Sequence, residues 1–235
     1  MNVLVTGASG GIGRVIALSL NGSANVYATS RSEKKLKELG CAGYFLCDLA
    51  SEKDLKALGK YIAEQKIDVL INNAGEYFYS KVEDTDSEKL KHITKVNLEA
   101  PIYLTGCAIP YMKSKTWGRI INIGSISGVM GEAGASAYSA TKAGLVGFSK
   151  AAGLELAEYG ITVNTINPGW VDTELGKSSI DESEFSEEEI MQTIPQRRFV
   201  TPDEIAGLVK YLISDEAKGI TGQSINLCAG LSVGI

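Results

Sequence analysis

The sequence predicts an α/β fold with one parallel sheet of about seven strands and helices on both of its faces. Short apolar runs recur along the 235 residues. They lack the apolar–polar alternation of a strand with one solvated face, so both faces of each strand should be buried. Stretches with helical spacing of apolar residues separate these runs. A glycine-rich turn also joins the first run to the first helix, as in a βαβ unit.

The composition favours one domain covering residues 1–235, since 44% of the chain is hydrophobic and can supply a large core. The net charge of −5 disfavours nucleic-acid binding, which usually requires a basic patch. Apolar runs stay well below the roughly 18–20 residues that span a bilayer. The chain enters its first strand without a charged leader, so we expect a cytoplasmic protein with no membrane partner.

The four cysteines show no paired spacing, so reduced thiols are expected rather than disulfides or a metal site. His92 is the sole histidine, and a single imidazole cannot build a zinc site. It falls on a polar helical stretch and is interpreted as a surface residue.

The elements follow each other in a regular order. Apolar runs predict strands, in chain order, at residues 2–6, 24–29, 43–47, 67–71, 119–124, 161–167 and 223–227. Helical patterns predict helices at about residues 11–20, 32–39, 51–65, 86–111, 138–159 and 202–214, the last with Thr201 as N-cap. The polar, strongly acidic segment 174–199 breaks this order. It is interpreted as a lid over a substrate, although a solvated helical insertion explains its charges nearly as well.

The turn at residues 7–13 has the spacing Gly-x-x-x-Gly-x-Gly between strand and helix. Glycines let the backbone approach a pyrophosphate, and the helix N-terminus offers free N–H groups and a partial positive charge. The alternative is a tight strand-to-helix connection without a ligand. Its place at the start of a βαβ unit favours dinucleotide binding.

Ser30 and Arg31 end the second strand, where an NAD-binding protein usually carries an acidic residue for the ribose 2′-hydroxyl. Arg31 can pair with a 2′-phosphate, and Ser30 can hydrogen-bond to it. NADP(H) is therefore favoured over NAD(H). Asp48 follows the third strand. Its carboxylate could accept a hydrogen bond from an adenine amino group, could cap the next helix, or could do both.

Asn97 lies in the middle of a predicted helix, between apolar neighbours. Asparagine is a mediocre helix former, so a buried one needs a reason. It could satisfy a kink, with Pro101 four residues further on, or hold a water for proton transfer.

Tyr138 and Lys142 are four residues apart and project from the same helical face. Ser125 ends the fifth predicted strand, and a glycine-rich loop could fold back to bring its hydroxyl to the phenol. A serine, a phenol and an ammonium in one place indicate carbonyl or alcohol chemistry.

These motifs, in this order, make the chain resemble the short-chain dehydrogenase/reductase family over nearly its whole length. The matching motifs are Thr6-Gly7-x-x-x-Gly11-Ile12-Gly13, Asn72-Asn73-Ala74-Gly75, Asn97, Ser125, Tyr138-x-x-x-Lys142 and Pro168-Gly169. Two further features look most like 3-oxoacyl-acyl-carrier-protein reductases. They are the Ser125-to-Tyr138 gap and the C-terminal pattern Asp203-Glu204-Ile205-Ala206, Ser214-Asp215-Glu216-Ala217 and Ile220-Thr221-Gly222-Gln223. The resemblance implies a Rossmann-type doubly wound sheet and a homotetramer or homodimer, packed through residues 100–111 and 140–159.

By this resemblance, Tyr138 donates a proton to the substrate oxygen, Ser125 holds that oxygen, Lys142 lowers the pKa of the phenol, and Asn97 holds a water. Lowering the pKa of a phenol from about 10 to about 7 requires about 4 kcal/mol of differential stabilisation of the phenolate. The predicted cofactor contacts are Gly7, Ser9, Gly11, Ile12, Gly13, Ser30, Arg31, Asp48, Leu49, Asn73, Ala74, Gly75, Tyr138, Lys142, Pro168, Gly169, Val171 and Thr173. The implied reaction is NADPH-dependent reduction of a 3-oxoacyl thioester or a small ketone. An NAD-dependent alcohol dehydrogenase and a non-catalytic dinucleotide sensor are the alternatives.

The chain departs from the carrier-protein reductases at two positions. Basic residues near the mouth of their active site engage the acidic carrier, whereas the matching positions here are Thr116 and Tyr159. An acidic lid would also repel an acidic partner. The sequence therefore keeps a small or CoA-linked carbonyl compound as an alternative to a substrate attached to a carrier protein.

Overall fold

The computed structural model describes residues 1–182 and 185–233. Residues 183–184 of the predicted lid and 234–235 of the predicted domain lie outside this range. The strands are β1 Asn2–Thr6, β2 Asn25–Ser30, β3 Gly43–Leu46, β4 Val69–Asn72, β5 Gly118–Ile123, β6 Ile161–Pro168 and β7 Ser224–Leu227. The α-helices are α1 Gly11–Leu20, α2 Glu33–Lys37, α3 Glu52–Glu64, α4 Ser87–Thr94, α5 Ala100–Lys115, α6 Ser127–Met130, α7 Ser136–Leu156, α8 Glu174–Glu182, α9 Glu187–Thr193 and α10 Pro202–Leu212.

The seven strands form one parallel sheet in the order β3-β2-β1-β4-β5-β6-β7. This confirms the predicted doubly wound α/β class. The chain runs outward from β1 in one direction and then returns to start β4 on its other side. Ligands of such sheets bind beyond the carboxyl ends of the strands at this reversal.

Both faces of the sheet are buried, as the unalternating strands predict. In β1, Val3 and Val5 pack into one layer with α1, α2 and α10, whereas Leu4 packs into the opposite layer with α3, α5 and α7. Successive side chains point to opposite faces of a strand, so a strand between two helical layers must be apolar throughout.

The predicted helix 86–111 consists of two α-helices, α4 and α5, joined by a π-helical turn at Lys95–Glu99. Asn97 is at the centre of that turn and is fully buried. The extra residue of a π-turn rotates the helix that follows it, and such turns are frequent at functional sites. The irregularity therefore lies at Asn97 itself and not at Pro101.

The segment after β6 forms α8 and α9, and Ser186 and Glu189 make a reciprocal capping box at the start of α9. Ile180, Ile190 and Ile194 form a small apolar cluster of their own. Thr201 caps α10 as predicted, in a second capping box with Glu204.

In the described part of the chain, no helix is both long and apolar enough to span a bilayer. All four cysteines are free thiols.

Candidate active site

A cavity of about 570 Å³ opens at the carboxyl edge of the sheet, where the strand order reverses. Its walls bring together residues from the ends of β1 to β6 and from α8. The predicted site residues that line it are Gly7, Ser9, Gly11, Ile12, Ser30, Arg31, Asp48, Leu49, Asn73, Ala74, Gly75, Ser125, Tyr138, Lys142, Pro168, Gly169, Val171 and Thr173. Gly13 and Asn97 are not among the residues that line it, so their predicted roles stay predictions.

The glycine turn has the form that a bound pyrophosphate requires. Gly7 has φ +66°, and a Cβ there would lie 2.8 Å from Cα of Ala74, so the backbones pack with no room for a side chain. A Cβ on Gly13 would come within 2.5 Å of the Gly7 carbonyl oxygen. Gly10 faces open space, and α1 begins at Gly11 without a side-chain cap. Gly11 and Ile12, the first two residues of α1, line the cavity, and N–H groups at a helix N-terminus have no partner within the helix, so an anion there can accept from them.

Polar contacts fix the floor beside this turn. Asn73 donates from Nδ2 to the carbonyl oxygen of Thr6 at 2.9 Å, and its backbone N–H donates to the Thr6 hydroxyl at 3.0 Å. Asp48 accepts from the backbone N–H of Ala50 at 3.0 Å. Ser51, not Asp48, caps α3. The Asp48 carboxylate therefore closes a local turn beside the cavity, leaving its adenine role a prediction.

Basic residues that follow β2 line one end of the cavity. Arg31 lines it and forms an ion pair with Glu76, with Nη1 3.0 Å from Oε1. Lys35, from the first turn of α2, lines the same end. Lys35 was not predicted from the sequence, although its position four residues after Arg31 places it on the helix that starts there. Two cations beside the Ser30 hydroxyl fit a group carrying a phosphate.

Asn97 holds the loop that follows β4. Its Oδ1 accepts from the backbone N–H of Glu76 at 2.9 Å, and its Nδ2 donates to the Glu76 carbonyl oxygen at 2.8 Å. Nδ2 also donates to the Thr141 hydroxyl at 3.3 Å. A Cβ on Gly75 would lie 3.2 Å from Nζ of Lys142 and 3.4 Å from Oδ1 of Asn97. Gly75 thus lets the loop pass between these two side chains.

Tyr138 and Lys142 project from the first turns of α7 towards the end of β5. Nζ of Lys142 lies 5.6 Å from the centroid of the Tyr138 ring and donates to the Ile123 carbonyl oxygen at 2.9 Å. Burial lowers the pKa of Lys142 to about 8. Burial also raises the pKa of Tyr138 to about 12, opposed by a hydrogen bond with Ser125 and assisted by the negative charge of Glu132.

The expectation that Lys142 and the positively charged nicotinamide of the oxidised cofactor together lower the pKa of the phenol to about 7 stays a prediction. Desolvation is the largest cause of the raised pKa of the Tyr138 phenol in the chain by itself. At neutral pH Tyr138 carries its proton, which is the form that a proton donor needs.

A second set of polar residues, which was not predicted from the sequence, continues from Ser125. Ser125 donates to the Ser127 hydroxyl at 3.0 Å, and Ser127 donates to Oε2 of Glu132 at 2.5 Å. Tyr77 donates to Oε1 of Glu132 at 2.9 Å. The Tyr77 ring packs edge-on against Tyr138, with the centroids 5.1 Å apart. Glu132 is the one charged residue between Ser125 and Tyr138, which was a signal available in the sequence.

Thr116 and Tyr159 lie far from this cavity within one subunit. Thr116 precedes the start of β5, and Tyr159 precedes the start of β6. Both are at the amino edge of the parallel sheet, opposite the edge that carries Ser125. Lys113 lies over the Tyr159 ring, with Nζ 3.9 Å from its centroid. The expectation that these two positions border the mouth of the cavity is wrong for a single chain.

Comparison with known proteins gives consistent results. Residues 7–232 match the family model described as enoyl-(acyl carrier protein) reductase. The chain is 36% identical to a 3-oxoacyl-[acyl-carrier-protein] reductase of Buchnera aphidicola, covering 97% of this chain and 96% of that protein. It is 34% identical to a D-beta-hydroxybutyrate dehydrogenase of Cupriavidus necator, with the same coverage. A crystal structure of a single-residue variant of actinorhodin polyketide ketoreductase with NADPH superposes with a TM-score of 0.92 at 36% identity, covering 99% and 97% of the two chains.

The fold and the lining of the cavity define an oxidoreductase built to bind a dinucleotide. With a family model matching nearly all of its length, the chain belongs to the short-chain dehydrogenase/reductase family.

Proposed function

We propose that this protein reduces a carbonyl substrate to an alcohol, with NADPH as the hydride source and Tyr138 as the proton donor. The observation that carries the proposal is the convergence of Ser125, Tyr138 and Lys142 on one wall of the dinucleotide cavity.

The cofactor is NADP(H). The open glycine turn and the uncapped N-terminus of α1 suit its pyrophosphate. Ser30, Arg31 and Lys35 suit its 2′-phosphate. The ketoreductase that superposes on this chain was crystallised with NADPH, which supports the same choice.

Each residue of the site has a separate role in the reaction. When bound, the reduced nicotinamide supplies the hydride to the carbonyl carbon. Tyr138 donates its phenolic proton to the carbonyl oxygen, and Ser125 hydrogen-bonds that oxygen to hold it in place. The Lys142 cation stabilises the phenolate that remains. Asn97 fixes the backbone of Glu76 and thereby the loop that passes Lys142.

The substrate is a small ketone or a 3-oxoacyl thioester. Two relatives support a substrate in which one carbon separates the reacting carbonyl from a second oxygen-bearing carbon. One is named a 3-oxoacyl-[acyl-carrier-protein] reductase and the other a D-beta-hydroxybutyrate dehydrogenase. Glu132 places a negative charge beside Ser127 and Tyr77 on the same wall. Because this charge disfavours a free carboxylate beside the reacting carbonyl, the hydroxybutyrate dehydrogenase supports the position of the carbonyl group and not a free-acid substrate, and we favour an uncharged ketone or an ester-like acyl group.

The segment 174–199 acts as the lid. Glu174, Leu175, Gly176 and Ser179 from α8 line the cavity, so movement of this helix would change its opening.

The protein forms a homodimer or homotetramer through α5 and α7. The small residues Ala140, Ala143, Gly147 and Ala151 on α7 are exposed, so they do not pack on the chain's own sheet. Ile102, Tyr103 and Leu154 are exposed apolar residues on these helices, with Leu154 84% accessible. A monomeric mass by light scattering would contradict this assembly.

The test is a screen that follows NADPH oxidation with acetoacetyl-CoA, acyl-carrier-protein thioesters, diketones and cyclic ketones. We expect turnover of at least one, and loss of that turnover in Tyr138→Phe while NADPH still binds. Because the phenyl ring keeps the contact with Tyr77, this variant removes the proton and little else. Near-wild-type turnover by Tyr138→Phe would refute the mechanism.

A further inference from the structure

The carboxylate of Glu132 is fixed in place from two sides. Ser127 donates to its Oε2 at 2.5 Å, and Tyr77 donates to its Oε1 at 2.9 Å. Tyr77 lies on the loop after β4 and Ser127 begins α6, so two separate parts of the chain hold the group. Glu132 is half-buried and lines the cavity. The carboxylate therefore cannot turn away into solvent without losing two charge-assisted hydrogen bonds.

This fixed charge lies close to the proposed reacting centre. The hydroxyl of Ser125, which is proposed to hold the substrate oxygen, donates to the Ser127 hydroxyl at 3.0 Å. Oε2 of Glu132 is thus no further from Ser125 Oγ than two hydrogen-bond lengths together. Burial is the main cause of the raised pKa of Tyr138, and the negative charge of Glu132 adds to it. The field of the carboxylate therefore reaches the proposed proton donor.

The partners of Glu132 fix its charge without cancelling it, since both are neutral hydroxyl groups. The basic side chains among the described residues that line the cavity are Arg31, Lys35 and Lys142. Arg31 and Lys35 follow β2, on the other side of β1 from β5. The Lys142 ammonium donates to the carbonyl oxygen of Ile123. The wall of the cavity at Glu132 is therefore negative.

We propose that Glu132 determines the specificity of this site by excluding compounds that carry a free carboxylate one carbon away from the reacting carbonyl. The inference rests on the proposed function and assigns its preference for uncharged substrates to one side chain. Because a single carbon separates the two groups of a 3-oxo acid, its carboxylate stays close to Glu132 whichever substituent of the carbonyl faces that residue. An ester or thioester of the same acid carries no charge at this position.

The size of the effect follows from Coulomb's law. Two like unit charges about 6 Å apart, at an effective dielectric constant of about 20, repel each other enough to weaken binding by about 10²-fold. The repulsion falls as the charges move apart and as solvent and salt screen them. A carboxylate further along the substrate, or the distant phosphates of coenzyme A, should therefore be tolerated.

The test compares acetoacetate with its ethyl ester, which has a neutral group where the acid has a charge. We expect the wild-type protein to show the higher kcat/KM for the ester, measured by NADPH oxidation. Glu132→Gln should raise kcat/KM for acetoacetate and change that for the ester little, so that the ratio shifts by about 10²-fold. Glu132→Asp keeps the charge and should keep the ratio. Glu83→Gln removes an exposed acid outside the cavity and is the matched control.

A second pair of compounds tests the dependence on distance. In 5-oxohexanoate the carboxylate lies two carbons further from the carbonyl than in acetoacetate. The preference of the wild-type protein for the ethyl ester over the acid should therefore be smaller in this pair, and Glu132→Gln should change it less. Equal discrimination in both pairs would show that the site rejects anions as a whole, which would overturn the assignment to Glu132.

Binding measurements separate this inference from the proposed function. Calorimetric titration of the NADPH complex with 3-hydroxybutyrate and with its ethyl ester requires no turnover. It should show the same preference for the ester, reduced in Glu132→Gln. If the wild-type protein reduced no carbonyl compound but kept this difference in binding, the proposed function would be contradicted and the exclusion of carboxylates by Glu132 supported. An unchanged ratio in Glu132→Gln, or equal losses for acid and ester, would overturn the inference.

Discussion

The guanidinium of Arg31 is paired with Glu76, 3.0 Å from its Oε1, while Nε2 of His92 lies 2.7 Å from Oε2 of the same carboxylate. Glu76 thus connects Arg31, at the end of β2, to helix α4. Its backbone is held in turn by Asn97. If Arg31 binds the 2′-phosphate of NADPH as proposed, Glu76 competes with that phosphate for the guanidinium.

Removal of the charge on Glu76 should strengthen NADPH binding. The Arg31 side chain is 66% exposed, so the pair resembles a surface salt bridge worth about 0.2–1 kcal/mol. We expect Glu76→Gln to lower the Kd for NADPH by up to about fivefold, measured by fluorescence titration. The gain should vanish in a protein that also carries Arg31→Ala. Weaker NADPH binding by Glu76→Gln would show that the carboxylate supports the site instead.

The preference for NADPH should depend on Ser30 and Arg31 together. A charge-assisted hydrogen bond contributes about 1.5–3 kcal/mol, which corresponds to about 10- to 100-fold in binding. We expect Ser30→Asp with Arg31→Ala to lower the ratio of kcat/KM for NADPH to that for NADH by at least this factor. Lys35→Ala is the matched comparison and should lower the ratio less, since it leaves Arg31 in place. An unchanged ratio in the double variant would refute this role of Arg31.

The architecture was predictable because each strand lies between two helical layers and is apolar throughout. Val3, Leu4 and Val5 show this directly, since they serve opposite layers. The observed strand ends differ from the predicted ones by one or two residues. Val69, for example, begins β4 where an apolar run from Ile67 predicted an earlier start. Backbone pairing sets these ends, and apolar composition does not report it.

The site was predictable where a motif fixes chemistry at a set spacing, as for Tyr138 and Lys142. Contacts that form only when a loop folds back on itself were not predictable from the sequence. Glu132 reaches Ser127 only because the loop between α6 and α7 closes on itself, and Asn97 reaches Glu76 only through the π-turn. The raised pKa of Tyr138 likewise follows from burial, which a local motif does not encode.

Asn97 should matter for both stability and cofactor binding. Its amide bridges both backbone groups of Glu76, and it is fully buried. Leaving such groups without partners costs about 1–3 kcal/mol. We expect Asn97→Ala to lower the free energy of unfolding by this amount in urea titrations and to raise the Kd for NADPH. Thr141→Val removes one acceptor of the same amide and should give a smaller effect. Unchanged NADPH affinity in Asn97→Ala would show that the loop needs no such support.

Lys142 should make the stability of the protein rise with pH above neutrality. Burial lowers its pKa from 10.5 to about 8. Below about pH 8 the lysine is protonated in both the folded and the unfolded chain. Between about pH 8 and 10.5 the unfolded chain still binds the proton and the folded chain does not, so the free energy of unfolding increases with pH.

The stabilisation is thus present at high pH and is lost as the pH falls towards about 8. The shift corresponds to on the order of 3 kcal/mol across the whole window. Because Tyr138 contributes in the opposite direction between pH 10 and about 12, the comparison should stay at or below about pH 10. Urea unfolding of the wild-type protein and of Lys142→Met, at about pH 7 and about pH 10, measures the difference. We expect the wild-type protein to gain stability relative to the variant at the higher pH, because methionine has no proton to lose. A constant difference between the two proteins at both pH values would contradict a lowered pKa of Lys142.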